Sequence, residues 1–120
     1  MNDEDPQFYD RQGAMITHDE ARDLIGQGLD RVARTSIADA SNPAEALVVS
    51  TIWMGVDIEL GDYPQPMIFQ TAVFDRNHHR IDEVCSATEE HALQAHEVMV
   101  EEHSKKMVDA VVVDLAETED

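Results

Sequence analysis

Basic residues are scarce in this chain: eight Lys and Arg stand against 26 Asp and Glu, a net charge of −18. A surface so poor in cations repels nucleic acid and anionic membranes, so neither direct nucleic-acid binding nor membrane association is expected. Cysteine is scarcer still. Cys85 stands alone, which excludes an intramolecular disulfide and suits a reducing cytoplasm. Aromatics make up only 5% of the residues, so Leu, Ile, Val, Met and Ala must fill most of the core. No apolar run approaches the roughly 20 residues that a membrane-crossing helix needs. The opening Met1-Asn2-Asp3-Glu4-Asp5-Pro6 has neither the basic nor the apolar region of a signal peptide. The expected location is cytoplasmic.

What remains is enough to fold. Hydrophobic residues are 42% of 120, which allows one core and one domain and argues against wholesale disorder. Residues 1–7 read as a flexible acidic tail, 8–116 as a single domain and 117–120 as a second acidic tail. The excess charge speeds encounters with basic proteins, or it keeps the molecule dissolved.

Hydrophobic spacing divides the domain into α and β segments. Phe8 to Ile16 reads as two short extended pieces around Gln12-Gly13. Thr17 and Asp19 are candidate caps for a helix that buries Ala21, Leu24, Ile25, Gly28, Leu29 and Val32. Arg31 to Ile37 permits a short strand, and Ala38 to Ala46, with Asp39, Ser41, Asn42 and Pro43, reads as a loop. Leu47 to Leu60 alternates as a strand, with Val48, Ser50, Ile52, Met54, Val56 and Ile58 on one face. Its other face, Val49, Thr51, Trp53, Gly55, Asp57 and Glu59, turns acidic as a half-exposed face does. A stiff turn from Gly61 to Pro66 leads to a strand over Met67 to Phe74, and a third strand runs from Arg80 to Cys85. Ser86-Ala87-Thr88-Glu89 matches a capping box for a long helix from Ala87 to at least Met107. That helix gathers Leu93, His96, Met99, Val100, His103 and Met107 on one side and Glu90, Glu97 and Glu101 on the other. Residues 108–116 fit helix or strand equally, because Val111, Val112 and Val113 are β-branched. The expected fold is α+β: an antiparallel three- or four-stranded meander, an N-terminal helix, and a long C-terminal helix packed on one sheet face.

Two segments carry a resemblance. Val49-Ser50-Thr51-Ile52-Trp53-Met54-Gly55-Val56-Asp57 and Pro66-Met67-Ile68-Phe69-Gln70-Thr71-Ala72-Val73-Phe74 resemble the paired strands, roughly VSTVWLGLD and PLIFETMVF, of a family of small bacteriophage and prophage proteins with no assigned activity. Tyr9 to Gly13 and the Ala87 to Glu97 stretch fit the same pattern, so the likeness covers about two thirds of the chain. The Ala38–Ala46 insertion, Gln70 where Glu is usual, and the longer acidic C-terminus depart from it. The resemblance implies a phage accessory protein acting in a host cell. It brings no catalytic residues to transfer.

The residues themselves offer little for catalysis. Six histidines lie among many carboxylates, but none has the i, i+4 spacing of a helical zinc site, and no cofactor or metal is expected. His96 and His103 share the apolar side of the long helix, where packing is the simpler role. Burial would depress their pKa, and protonation would then loosen the helix at mildly acidic pH. Cys85, among Asp82, Glu83, Glu89 and Glu90, reads as an inert thiol. Trp53, Phe69 and Phe74 suit sheet packing, since a base-stacking platform needs a positive groove.

The carboxylates then stand out as a surface. Glu90, Glu97 and Glu101, with Asp57 and Glu59, are the candidate partner-binding residues. The three helical glutamates repeat at rises of about 10 and 6 Å, a scale broadly similar to that of phosphates along DNA. The expected function is that of a non-enzymatic, phage-encoded acidic protein that engages a basic surface on a host protein and inhibits it. A defence system or a nucleic-acid enzyme fits as target, in an anti-CRISPR-like or DNA-mimic manner. The alternative expectation is an assembly module that forms a homodimer or larger oligomer through an exposed sheet edge or the helix.

Overall fold

A computed structural model describes residues 7–59 and 63–115. The acidic tails expected at 1–7 and 117–120 lie outside the described residues, Gln7 excepted, as do Leu60, Gly61 and Asp62. The chain is α+β, with a five-stranded antiparallel sheet, a two-stranded sheet and two helices. In chain order the elements are β1 (Phe8–Tyr9), β2 (Met15–Ile16), α1 (His18–Gly26), β3 (Arg31–Asp39) and β4 (Asn42–Trp53). There follow β5 (Phe69–Asp75), β6 (Arg80–Ser86), α2 (Glu89–Ser104) and β7 (Ala110–Asp114). The large sheet has the order β6-β5-β4-β3-β7, so β3 to β6 lie side by side in sequence order and β7 joins the outer edge of β3.

Local chemistry explains the small elements. Asp10 Oδ1 accepts from the amides of Gln12 and Ala14, and Gly13 takes a φ of +88°, which closes the β1–β2 turn. Thr17 Oγ1 accepts from the Glu20 amide while the Glu20 carboxylate accepts from the Thr17 amide, a reciprocal cap on α1. The β1–β2 hairpin docks on the sheet through Trp53, whose indole N–H donates to the Tyr9 carbonyl, and through the Tyr9 amide, which donates to the Gly55 carbonyl. Gly55 has a φ of +80°, and a Cβ there would sit 3.2 Å from the Trp53 ring. Only glycine meets both demands.

Several expectations are corrected. Ala38–Ala46 is no loop: β3 runs to Asp39, a turn at Ala40 and Ser41 follows, and β4 begins at Asn42. Asp39 Oδ1 accepts from both the amide and the hydroxyl of Ser41, which lets this polar cluster make a tight hairpin instead of a long connection. The strand expected over Leu47–Leu60 is Asn42–Trp53, and the one expected over Met67–Phe74 is Phe69–Asp75. α1 stops at Gly26, so Leu29 and Val32 lie beyond it. Ser86 caps nothing. It ends β6, buried opposite Phe69, and the cap of α2 is Thr88, whose hydroxyl accepts from the His91 amide. Residues 110–114 form a strand.

The two faces of β4 are also exchanged relative to expectation. Val49, Thr51 and Trp53 are buried beneath the helices, and Val48, Ser50 and Ile52 lie on the opposite, half-exposed face. The acidic Asp57 and Glu59 that made the first face look solvated lie past the end of the strand. α2 covers one side of the sheet, where the interior divides into two apolar clusters. One contains Ala21, Trp53, Ile68, Phe69 and Ala92; the other contains Ile37, Val49, Val73 and Met99. Ala92 is fully buried while Leu93 is 38% exposed, so a methyl group, not an isobutyl group, faces the sheet where helix and strands meet.

The Thr88 cap gives a direct test. Thr88→Ala removes the acceptor for the His91 amide and is expected to cost about 1 kcal/mol, read as a lower urea midpoint.

Candidate functional site

Between the two apolar clusters lies a buried polar layer carried by five elements. His96 of α2 is 5% exposed. Its Nδ1 is 2.8 Å from Thr51 Oγ1 on β4, and its Nε2 is 2.8 Å from Thr35 Oγ1 on β3. Thr51 Oγ1 is in turn 2.7 Å from Thr71 Oγ1 on β5, and Thr35 Oγ1 donates to Asp114 Oδ1 on β7 at 2.9 Å. The carboxylate fixes the direction of every bond. Thr35 has one hydroxyl proton and gives it to Asp114, so it accepts from His96 Nε2–H. Nδ1 of the neutral ring then accepts from Thr51, and Thr51 accepts from Thr71.

This arrangement has a hydroxyl, an imidazole and a carboxylate in sequence, as a nucleophile relay does. Thr51 and Thr71 are nevertheless 0% exposed, so no substrate reaches either hydroxyl. The layer holds α2 against the sheet. Burial pushes the His96 pKa down, against smaller upward pulls from Asp114 and Glu97. Protonation would also reverse the Thr51 and Thr71 hydroxyls, leaving the Thr71 proton with no side-chain acceptor among the described residues. His103, one side of α2 further on, is buried with Nε2 3.2 Å from Asp82 Oδ2.

The helix ends and turns are pinned by charge. The Arg11 guanidinium grips both Glu89 carboxylate oxygens, at 3.0 and 2.8 Å, and donates to the Leu29 carbonyl, tying the β1–β2 hairpin to the start of α2. Asp39 accepts from the amides of Val108 and Asp109 as well as from Ser41, which holds the α2–β7 connection on the β3–β4 turn. The Ser41 hydroxyl is the main cause that holds the Asp39 carboxyl below its usual range. Asp75 is lowered likewise, chiefly by the His79 amide.

The candidate partner-binding residues separate into two groups. Glu90, Glu97 and Glu101 are exposed along the outer side of α2, directly opposite Ala92, Met99 and His103. Among the described residues, Glu101 has a cation at hand, Lys105 Nζ at 3.6 Å, and Glu90 and Glu97 have none. Asp57 and Glu59 do not join them. Asp57 Oδ1 accepts from the amides of Glu59 and Met67, so it orders the connection after β4. Glu59 accepts from the Cys85 thiol of β6. Burial first, then Glu59, Glu83 and Asp57, push the Cys85 thiol up to about 11. Among the described residues no group of three or more His, Cys, Asp or Glu side chains is placed to hold a metal ion. No described helix is long and apolar enough to cross a membrane. Trp53 and Phe69 are sealed in the core, out of reach of a nucleobase.

No protein-family model, curated protein or solved structure matches the chain.

Two outcomes follow from these environments. Since the folded His96 pKa lies below its unfolded value near 6.5, the folded state binds fewer protons. Stability is therefore full above that pH and falls as pH drops below it. Urea midpoints should decline from pH 7 towards pH 5, with a shallower decline in His96→Gln. At pH 8, a Cys85 thiol raised to about 11 should react with iodoacetamide far more slowly in the native protein than in urea. Equal rates would show an accessible, ordinary thiol.

Proposed function

We propose that this chain is a phage-encoded acidic binding protein whose α2 outer face engages a basic surface on a host protein and blocks it. The observation that carries this reading is the display of Glu90, Glu97 and Glu101 on a helix whose opposite side is locked by His96, Met99 and His103. A flexible acidic segment pays an ordering cost on binding; a helix anchored over the sheet has already met it. The glutamates rise by about 10 and 6 Å, close to three and two phosphate steps of one DNA strand at about 3.4 Å each. A host protein that grips a DNA backbone through Lys and Arg fits this spacing. Nucleic-acid enzymes and defence nucleases are of that kind, and the likeness to phage and prophage proteins supports a target in the host. The net charge of −18 adds long-range steering towards basic partners.

Affinity capture from host lysate at low salt tests the reading. A specific basic protein should be retained by the parent, released as salt rises, and lost from Glu90→Lys/Glu97→Lys/Glu101→Lys, whose fold is checked by circular dichroism. A partner indifferent to that triple variant, or no specific partner, would overturn it.

A further inference from the structure

The side of the sheet away from α2 has no layer over it among the described elements. Its floor is Ala38, Val48, Ile52 and Phe74, all half-buried, and it opens into a cavity of about 580 Å³. Exposed Val111 and Val113 continue this face on β7, where they pair with Ala38 and Ser36. Three of the chain's eight basic residues, Arg31, Arg34 and Arg76, line the same cavity. Arg11, Arg22, Arg80 and Lys105 each have a carboxylate at ion-pair distance. Among the described residues, Arg31, Arg34 and Arg76 have none, nor does Lys106, which lies away from this face beside His103 and Met107. Asp75 also lines the cavity, but its carboxylate accepts from the amides of Asn77 and His79, so among the described residues these three guanidinium groups are left without an anion.

The spacing of the cations defines what fits. Arg31 lies opposite Ile52 at one end of the face, and Arg76 follows Asp75, which lies opposite Leu47 at the other. Along β4, Leu47 and Ile52 are about 17 Å apart. The occupant must therefore carry negative charge at two ends separated by that distance, with small apolar side chains between. The outer face of α2 has this pattern. Glu90 and Glu101 are separated by about 16 Å of helix rise, with Glu97 between them and exposed Leu93 and Val98 flanking the row. A helix laid on an open sheet face is also the ordinary way to complete a layered α+β structure.

We propose that the open sheet face is a docking site for a second copy of this chain, which seats its α2 outer face between Arg31 at one end and Arg76 at the other, with Arg34, opposite Ser50, between them. The contact is heterologous, because sheet face and helix face are different surfaces of one protomer, so it propagates head to tail unless a ring closes. Net repulsion between copies acts over longer distances than the contacts and is screened at 0.15 M salt, where the Debye length is about 8 Å. The inference does not depend on a host partner, since the purified chain alone decides it.

Sedimentation equilibrium of the full chain at about 0.15 M salt, over roughly two decades of concentration, is the test. Mass should rise with concentration and continue beyond the dimer. Arg34→Glu/Arg76→Glu and Glu90→Lys/Glu97→Lys/Glu101→Lys should each stay monomeric. An equimolar mixture of the two should associate again, because the helix face of the first and the sheet face of the second are intact. That recovery also shows that neither variant is merely unfolded. A parent that is monomeric throughout overturns the proposal. So does a mixture that fails to associate, or an oligomer that either variant leaves unchanged; a dimer indifferent to both points instead to pairing at the free edge of β7.

Discussion

A buried imidazole sets the terms on which this protein packs. His96 lies between two apolar clusters, where each ring nitrogen left without a partner would cost about 1–3 kcal/mol. Thr35 and Thr51 satisfy both nitrogens, and Asp114 and Thr71 satisfy the threonines in turn. One side chain of α2 thus connects to β3, β4, β5 and β7. Apolar packing alone tolerates small slides of a helix over a sheet, since Ala92 and Met99 would find other methyl groups to touch. Hydrogen bonds of 2.8 Å on both sides of a ring do not. The polar layer adds positional specificity that the two clusters cannot supply, and its threonines, packed on the face of a twisted sheet, also suit strand geometry.

That layer explains which parts of the fold were legible in the sequence. The β-branched and aromatic residues of Val48 to Trp53 and Phe69 to Phe74 mark strands, and the 3.6-residue spacing of Glu90, Glu97 and Glu101 marks the outer side of α2. The faces are less legible than the elements. Thr51 lies on the face that Asp57 and Glu59 make look half-exposed, yet it is buried, with its hydroxyl bonded to His96 and to Thr71. Ala92 was hidden for a related reason. Apolar periodicity favours Leu93 as the inward residue, whereas the imidazole and threonines hold the helix close, and only a methyl group fits at position 92. At the Ala38–Ala46 hairpin, the same Asp, Ser, Asn and Pro residues serve loops and tight turns. The Asp39 bonds to Ser41, Val108 and Asp109 decide between them, and two of those partners are remote in sequence.

The candidate surface was partly legible for the same reasons. Glu90, Glu97 and Glu101 could be placed from helical periodicity, because a charge row on a helix with an apolar opposite side has one orientation open to it. Asp57 and Glu59 were grouped with them by charge alone. Tertiary structure turns Asp57 to two backbone amides and Glu59 to the Cys85 thiol, so these carboxylates order a connection and suppress a thiol. Nothing in the sequence sets Arg31, Arg34 and Arg76 apart in a chain dominated by acids. They come from β3 and from the turn after β5, far apart in sequence, and only the β3-β4-β5 pairing brings them around one cavity.

Charge segregation of this kind has a physical consequence that net charge conceals. Eighteen excess negative charges would be expected to recruit every cation on the surface as a local counter-ion, and Arg11, Arg22, Arg80 and Lys105 are used in that way. Among the described residues Arg31, Arg34 and Arg76 have no carboxylate partner, which forgoes modest ion-pair energy, typically 0 to about 1 kcal/mol per exposed pair. The same groups gain more when an apolar surface closes over them and removes water, because the interaction is then screened far less. Acids line the outer side of one helix, and the uncovered side of the sheet carries these three cations. Recognition by either face follows from what the fold does not neutralise internally, and the sealed His96 layer is what keeps those faces a fixed distance and orientation apart.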